Sequence, residues 1–415
     1  MRIEQLTTGD EVVTGQIVDT NAAWLSERLF ELGAYVARRA TVGDVLEEIV
    51  AALREAAARA DVTIVSGGLG PTIDDRTAEA ASVAFGRPLV CDEAQLERLR
   101  ARFAAAGRTF TENNARQAWV PDGAGVITNE FGTAPAFVVP AAGGLGEVWF
   151  LPGVPREFKG LAEAHLLPRL RERLAAAGIH RHRIVLPCYG LPESHLDARI
   201  RPLLADHPFV RFGTRVRFPE VWANFVGEGT TGDEARARCE ALADRAREVL
   251  GAAVYDLSGR SFAEVTLEAL RHRGWRVAFA ESLTAGLAAA LLAEVPGASE
   301  VLLGSSVTYA EALKASWLGV PPELLAHEGA VSEACATAMA EGALRASGAD
   351  VAVALTGWAD AGGTGEAGLV WAAIAGRGET RALRVRLPFA RNMVRRAAAF
   401  LAHDLLRRRA LGLEA

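Results

Sequence analysis

Apolar, β-branched runs give way to amphipathic stretches along most of the chain. VTIVSGG (62–68) enters a glycine turn ahead of a helix-like segment, and WRVAFAESLTAG (275–286) does the same ahead of GLAAALLAEV. A strand that is apolar at every position needs cover on both faces, and helices returning between such strands supply it. The alternation therefore predicts α/β layers with largely parallel sheets. The pattern changes twice. Residues 1–168 read as strand–loop–helix units closing with LPGVPREFKG (151–160). Residues 169–257 read as helix, strand (HRIVLPCYG), short helix (SHLDARIRPLL), two strand-like runs (VRFGTRVRF and EVWANFVGE) and a charged helix, a small α+β module. At YDLSGRSFAEVTLEAL (255–270) a glycine turn leads to a serine cap and a new amphipathic helix, so a third domain is placed at 258–415.

Composition narrows the function classes. The 415 residues exceed one ordinary core, and 50% apolar with 23% charged residues is the balance of a folded chain. The formal net charge of -6 is spread along the length, so no basic footprint for nucleic acid is expected. Cys91, Cys188, Cys239 and Cys335 form no CxxC pair, which argues against a zinc knuckle or a disulfide framework and for reduced thiols. The start MRIEQLTTGDEVV has no basic segment leading into an apolar one, and no later stretch reaches about 18 apolar residues. The expectation is a cytoplasmic protein that neither leaves the cell nor spans a membrane. Eight histidines without HxxxH or HExxH spacing disfavour a zinc enzyme.

Two segments carry chemistry. SGGLGPTIDDRTAEA (66–80) follows a strand and precedes a helix. Its Gly67, Gly68 and Gly70 let the backbone approach a ligand, and amides turned toward a helix start suit a phosphate. Asp74 and Asp75 add hard oxygen ligands of the kind that hold magnesium beside a diphosphate. The loop matches neither GxxxxGK[ST] nor GxGxxG, and a purely structural turn is the competing reading. Asp44 is either a second carboxylate or the N-cap of the helix beginning VLEEIVAAL. In the second segment, AESLTAG (280–286), Ser282 and Thr284 stand between a strand end and a helix start. A hydroxyl there could meet free helix-start amides and help stabilise an oxyanion, or could simply cap the helix. Lys314, in SVTYAEALKASWLGV (306–320), is either a partly desolvated base for Ser282 or a solvated helix lysine. Thr356 ends a strand-like run before a glycine-rich turn, and Arg391 and Arg395, four apart, share a helix face suited to a phosphate.

TGDEVVTGQIVDTNA (8–22), TVGD (41–44), SGGLGPTIDDRTAEA (66–80), TENNARQA (111–118), GTAPAF (132–137) and LPGVPRE (151–157) follow one another as in the molybdopterin-binding-fold domain of the CinA (competence- and damage-inducible) family. AESLTAG, VPGAS (295–299), VTY followed by Lys314, GAVSE (329–333), AEGA (340–343), TGWA (356–359) and a final RxxxR helix resemble that family's C-terminal deamidase domain. The resemblance implies metal-dependent hydrolysis of ADP-ribose to AMP and ribose 5-phosphate at the N-terminal domain. Asp75 and Asp44 would be the metal-binding or catalytic acids, with Gly67, Gly68, Thr72 and Glu157 lining the phosphate site. A divalent cation, magnesium by chemistry, is the implied cofactor. For the C-terminal domain it implies metal-free hydrolysis of nicotinamide mononucleotide (NMN) to nicotinate mononucleotide and ammonia. There Ser282 would be nucleophile and Lys314 base, with Thr356 and Arg395 completing the site. Tyr309, Thr284, Gly286, Gly357 and Arg391 would bind substrate. It further implies a KH-type fold for the middle module and a homodimer. The chain departs from the family at Asp10, Val154 and Arg156, at Leu283, Ala285, Ala310 and Glu311, and in a shortened loop at 358–365. Pterin or molybdenum-cofactor binding without turnover, and a competence-related interaction protein, are the competing functions.

Overall fold

The computed structural model describes residues 1–178, 180–360 and 366–413. They divide into two compact units, Met1–Arg183 with Val226–Cys239, and Ile184–Phe225 with Glu240–Ala415. The first unit is built on a six-stranded sheet. Its strands are β1 (Ile3–Thr8), β2 (Val36–Val42), β3 (Val62–Ser66), β6 (Gly125–Ile127), β7 (Ala136–Val139) and β8 (Glu147–Leu151), in the order β2-β1-β3-β8-β7-β6. β4 (Leu89–Cys91) and β5 (Trp119–Pro121) form a separate antiparallel pair. β1, β2, β3 and β8 are parallel, and β7 and β6 add an antiparallel edge.

β3, VTIVS, is buried at every position because it is covered twice. Ile64 and Trp149 pack on one side with the helices Thr20–Glu31 and Pro155–Leu161. Val65 and Phe150 pack on the other with Leu46–Arg59 and Thr77–Phe85. Neighbouring strand residues thus serve opposite cores, which is why Ile64 and Val65 are both apolar.

The middle of the chain forms the sheet β10 (Val210–Arg217), β11 (Glu220–Gly229) and β9 (His180–Cys188), in the order β10-β11-β9, followed by the helix Gly232–Leu250. In the second unit β12 (Val277–Glu281), β13 (Leu302–Val307), β14 (Val351–Gly357), β15 (Leu369–Ala375) and β16 (Arg381–Arg386) make a five-stranded sheet in the order β13-β12-β14-β15-β16. β13, β12 and β14 are parallel, the last two antiparallel. Here the alternation is by size. Val277, Phe279, Val351, Val353 and Leu355 face the helices Phe262–Arg273 and Arg391–Leu411. Ala280, Ala352, Ala354, Ala373 and Ala375 face Glu333–Ser347. Each large side chain removed from water contributes roughly 1.5–3 kcal/mol, whereas the alanine face gains by letting a helix approach closely. The serine cap expected before the third segment is present: Ser261 and Glu264 exchange side-chain and backbone hydrogen bonds in a capping box. Among the described residues, no helix is long and apolar enough to cross a membrane.

Candidate functional site

A cleft of about 800 Å³ opens in the first unit where the chain leaves β1, β3 and β8. The turn after β3 needs its glycines: Gly67 and Gly68 have φ of 107° and 64°, and a Cβ would strike the Thr8 carbonyl oxygen or the Thr77 hydroxyl. Thr72 donates to Asp75 Oδ2 from its amide (2.8 Å) and its hydroxyl (2.6 Å), closing the loop on itself. The other oxygen, Asp75 Oδ1, has no hydrogen bond among the described residues. Asp44 does not cap the following helix. That helix has Val45 at its N-cap without a side-chain bond, and Asp44 Oδ2 instead accepts the Asp10 amide at 3.0 Å while Asp10 Oδ1 accepts the Asp44 amide at 3.0 Å. Burial raises the Asp44 carboxyl above its ordinary range, and the carboxylates of Asp10, Glu11 and Asp74 push the same way against the Asp10 amide. Glu157 is raised by burial too, opposed by the Asn129 side-chain amide that donates to it at 2.6 Å.

Every residue expected at this site, Asp44, Asp75, Gly67, Gly68, Thr72 and Glu157, lines the one cleft. Asp10, Glu11 and Asp19 line it as well. Among the described residues no three side-chain ligands converge to enclose a metal ion. Carboxylates crowded into one cleft nevertheless fit a cation that takes most of its coordination from phosphate and water, as magnesium does.

In the second unit, register builds the candidate site. Glu281 pairs with Val307 on one side and Leu355 on the other, so the next residues, Ser282, Thr308 and Thr356, emerge at adjacent strand ends. Backbone bonds hold them there, Ser282 N to Leu355 O and Thr308 N to Glu281 O, both 2.9 Å. Carboxyl ends of parallel strands are where open α/β sheets leave room for ligands. Lys314 comes to this end as a buried group, 1% exposed, not as a solvated helix lysine. Its Nζ donates to the Thr308 carbonyl oxygen (3.1 Å) and lies 3.6 Å from Met339 Sδ. Burial lowers its pKa below the lysine range. No hydrogen bond joins it to Ser282 among the described residues; the Thr308 that it reaches is bonded through its amide to the carbonyl of Glu281, the residue before Ser282.

One expectation is corrected. The hydroxyls of Ser282 and Thr284 do not meet the helix-start amides of Leu287–Ala293. The wholly buried Glu281 does, accepting from Ala288 N and Ala289 N at 3.0 Å each and from Ser305 Oγ at 3.0 Å. A carboxylate fits the positive end of a helix better than a hydroxyl. The Thr284 and Thr308 hydroxyl oxygens are left buried without partners among the described residues. The amides of Leu283, Thr284 and Gly286 have no acceptor there either. These amides, not the helix start, are the candidates for oxyanion binding. The signal for Glu281 in the sequence is its place in AESLTAG, an acid just ahead of a helix start.

The remaining residues are placed as follows. Thr356 donates its hydroxyl to Ala330 O at 2.6 Å. Arg395 ties down the serine turn through Leu283 O (3.2 Å) and Thr284 O (3.0 Å). Arg391, one turn away, spends its guanidinium on Asp360 (2.5 Å) and the hydroxyl of the exposed Tyr309 (2.9 Å). Gly286 has φ of 92°, and a Cβ on Gly357 would meet the Leu369 carbonyl.

The two sites coincide with two family matches. Residues 259–410 match the family described as "CinA C-terminal domain", and residues 4–172 that described as "Probable molybdopterin binding domain". A CinA-like protein of Myxococcus xanthus is 43% identical over 421 aligned residues, covering 100% of both chains. The chain belongs to the CinA family. A CinA-like protein of Anaeromyxobacter dehalogenans is 44% identical, covering 98% of this chain and 99% of its own. The crystal structure of a CinA protein of unknown function from Thermoplasma acidophilum, 36% identical, covers 39% of this chain and 94% of its own with a TM-score of 0.36.

Several departures from the CinA motifs have a local account. Ala285 adopts φ of 50°, a left-handed conformation that glycine accepts freely and alanine does not. Leu283 is buried against the core. Ala310 caps the helix Glu311–Leu318 without a side-chain bond, and Glu311 occupies its first turn, where an acid suits the helix dipole. Val154 is exposed on the wall of the N-terminal cleft. Of the shortened loop at 358–365, residues 361–365 lie outside the described residues.

Proposed function

We propose that this CinA-family chain is a bifunctional pyridine-nucleotide salvage hydrolase, deamidating nicotinamide mononucleotide at Ser282 and Lys314 and cleaving ADP-ribose at the N-terminal cleft. The observation that carries the first activity is the buried Lys314 ammonium site beside Thr308, at the same strand ends as Ser282. Burial lowers the Lys314 pKa, so its neutral, proton-accepting form is reached at lower pH than for an exposed lysine.

The proposed reaction is acyl transfer. Ser282 Oγ attacks the carboxamide carbon, its proton passes to Lys314 Nζ, and the amides of the 283–286 turn hold the oxyanion. Lys314 then gives the proton to the departing nitrogen, the C–N bond breaks and ammonia leaves. Water attacks the resulting ester, its proton passing to Lys314 and on to Ser282 Oγ as the C–O bond breaks. Nicotinate mononucleotide is released. Bringing Ser282 and Lys314 into bonding range is assigned to the bound substrate, since such contacts commonly tighten only in the complex. Arg395 positions the serine turn, Thr356 and Tyr309 face the substrate, and Arg391 exchanges Asp360 for the substrate phosphate. Incubating the pure chain with nicotinamide mononucleotide should release ammonia, and Ser282→Ala should stop it; unchanged release in Ser282→Ala overturns the assignment.

At the N-terminal cleft, Asp44 and Asp75 Oδ1 would hold a divalent cation, which when bound neutralises diphosphate charge and acidifies a coordinated water. The chain's own part is to seat the diphosphate on the Gly67–Gly68 turn and keep the two carboxylates facing it. The match to a molybdopterin-binding domain favours a second reading, pterin phosphate binding without turnover. ADP-ribose with magnesium separates the two: only the hydrolase yields AMP, and Asp75→Asn should abolish it. Small nucleotides are the partners this reading requires, acting on a cytoplasmic homodimer.

A further inference from the structure

The second unit holds another cavity, about 760 Å³, that neither reaction uses. Its walls come from β11 and from the helices Phe262–Arg273 and Arg391–Leu411, all within residues 217–222, 255–264, 291–296 and 396–403. Three aromatic side chains brace one side: Phe262 and Phe400 stack at 5.5 Å with an interplanar angle of 10°, and Tyr255 meets Phe262 edge-on at 4.7 Å. The Tyr255 hydroxyl donates to the half-buried carboxylate of Glu220. The Trp222 indole N–H lies beside the same pair yet completes no hydrogen bond among the described residues. Cations stand among the lining residues. Arg217 lies 4.3 Å over the Trp222 ring and Arg396 5.5 Å over Phe400.

We propose that this cavity is a third, non-catalytic nucleotide site. It would take a nucleotide whose flat base presents an amino group beside a hydrogen-bond acceptor and whose phosphate reaches Arg217 and Arg396. Glu220 supplies an acceptor for the amino group, the Trp222 N–H supplies an unspent donor for the neighbouring acceptor, and the buried aromatic cluster supplies a rigid apolar wall behind them. Arg217 is exposed and makes no ion pair within 4 Å among the described residues, while its charge and that of Arg396 both act on Glu220, so a phosphate would meet two cations that Glu220 compensates only in part. Desolvation raises the Glu220 carboxyl, a cost a folded chain avoids unless a ligand or network uses the group.

An adenine nucleotide and a nicotinamide nucleotide both present that edge, and two arms of one experiment tell them apart. Calorimetric titration of the full Ser282→Ala chain with AMP, and separately with nicotinamide mononucleotide, is repeated with Arg217→Glu and with Glu220→Gln added. Whichever nucleotide occupies the cavity should show a binding event that weakens about tenfold or more in both added variants, while uridine monophosphate, which lacks the amino group, shows no such event. Isotherms for both nucleotides unchanged by Arg217→Glu and Glu220→Gln overturn the proposal. So does equal binding of uridine monophosphate. Binding is read by calorimetry and not by turnover, so the outcome is independent of whether the deamidase assignment holds.

Discussion

The N-terminal cleft and the C-terminal strand ends solve the same problem in opposite ways. In the cleft, polar groups are already paired with one another: Asp10 with Asp44, Thr72 with Asp75, Asn129 with Glu157. The pairs hold loops in shape, and what remains for a ligand is the charge left over. At the strand ends the sheet itself fixes the backbone, and Arg395 and Glu281 hold the turn and helix start that follow. Lys314 is buried with the Thr308 carbonyl and the Met339 sulfur in reach and with the Cys335 thiol and Glu311 carboxylate acting on its charge, and the hydroxyls of Thr284 and Thr308 are unspent. A loop-built site binds through surplus charge, whereas a strand-built site can keep reactive groups in reserve.

The largest effect that would sharpen this contrast is expected from Lys314→Met. Of similar length but unable to accept a proton, it should lower ammonia release about a thousandfold, in line with losing a general base, while leaving ADP-ribose cleavage unaltered. An ammonia assay beside an AMP assay checks both halves; parallel loss of the two activities would mean the sites are not separate. Next, Glu281→Gln replaces a charged acceptor of two helix amides and a serine hydroxyl with a neutral one. The expected cost is about 1.5–3 kcal/mol by urea denaturation, accompanied by reduced ammonia release as the serine turn loosens. A change near zero would show that the helix start does not need the charge.

On the cleft side, Gly68→Ala places a methyl against the Thr77 hydroxyl at φ of 64°. It should cost about 1–3 kcal/mol and depress AMP formation selectively. The smallest effect runs the other way. Ala285→Gly relieves a left-handed alanine and should stabilise the chain by about 0.5–1 kcal/mol, read as a higher midpoint of thermal unfolding. A lower midpoint would show that the alanine methyl packs usefully.

Much of this was legible in the chain. β3 and β14 announce themselves as runs rich in valine, isoleucine, leucine and alanine with no charged residue, and the Ser261–Glu264 box marks its helix start because capping is local chemistry. The loop 66–80 was legible for the same reason: Gly67, Gly68, Thr72 and Asp75 act within a few residues of one another. Asp44 was ambiguous because its partner, Asp10, arrives only when β1 and β2 pair. Lys314 was harder still. Its helix reads as ordinary, and its burial follows from the close approach of Glu333–Ser347 across an alanine face, a property of two cores and not of one segment. Glu281 escaped because a charged residue ending an apolar strand resembles a surface boundary, when here it is wholly buried beneath a helix start.

Lys314 also sets the most direct test. Its folded pKa lies below its unfolded one, so the neutral form gains at lower pH than an ordinary lysine allows. Ammonia release from nicotinamide mononucleotide, measured as kcat/KM against pH, should rise through a single step lying below the usual lysine range, and Lys314→Met should erase that step along with most of the rate. A profile that is flat, or that keeps the same step in Lys314→Met, would contradict the pairing of Ser282 with a buried lysine base.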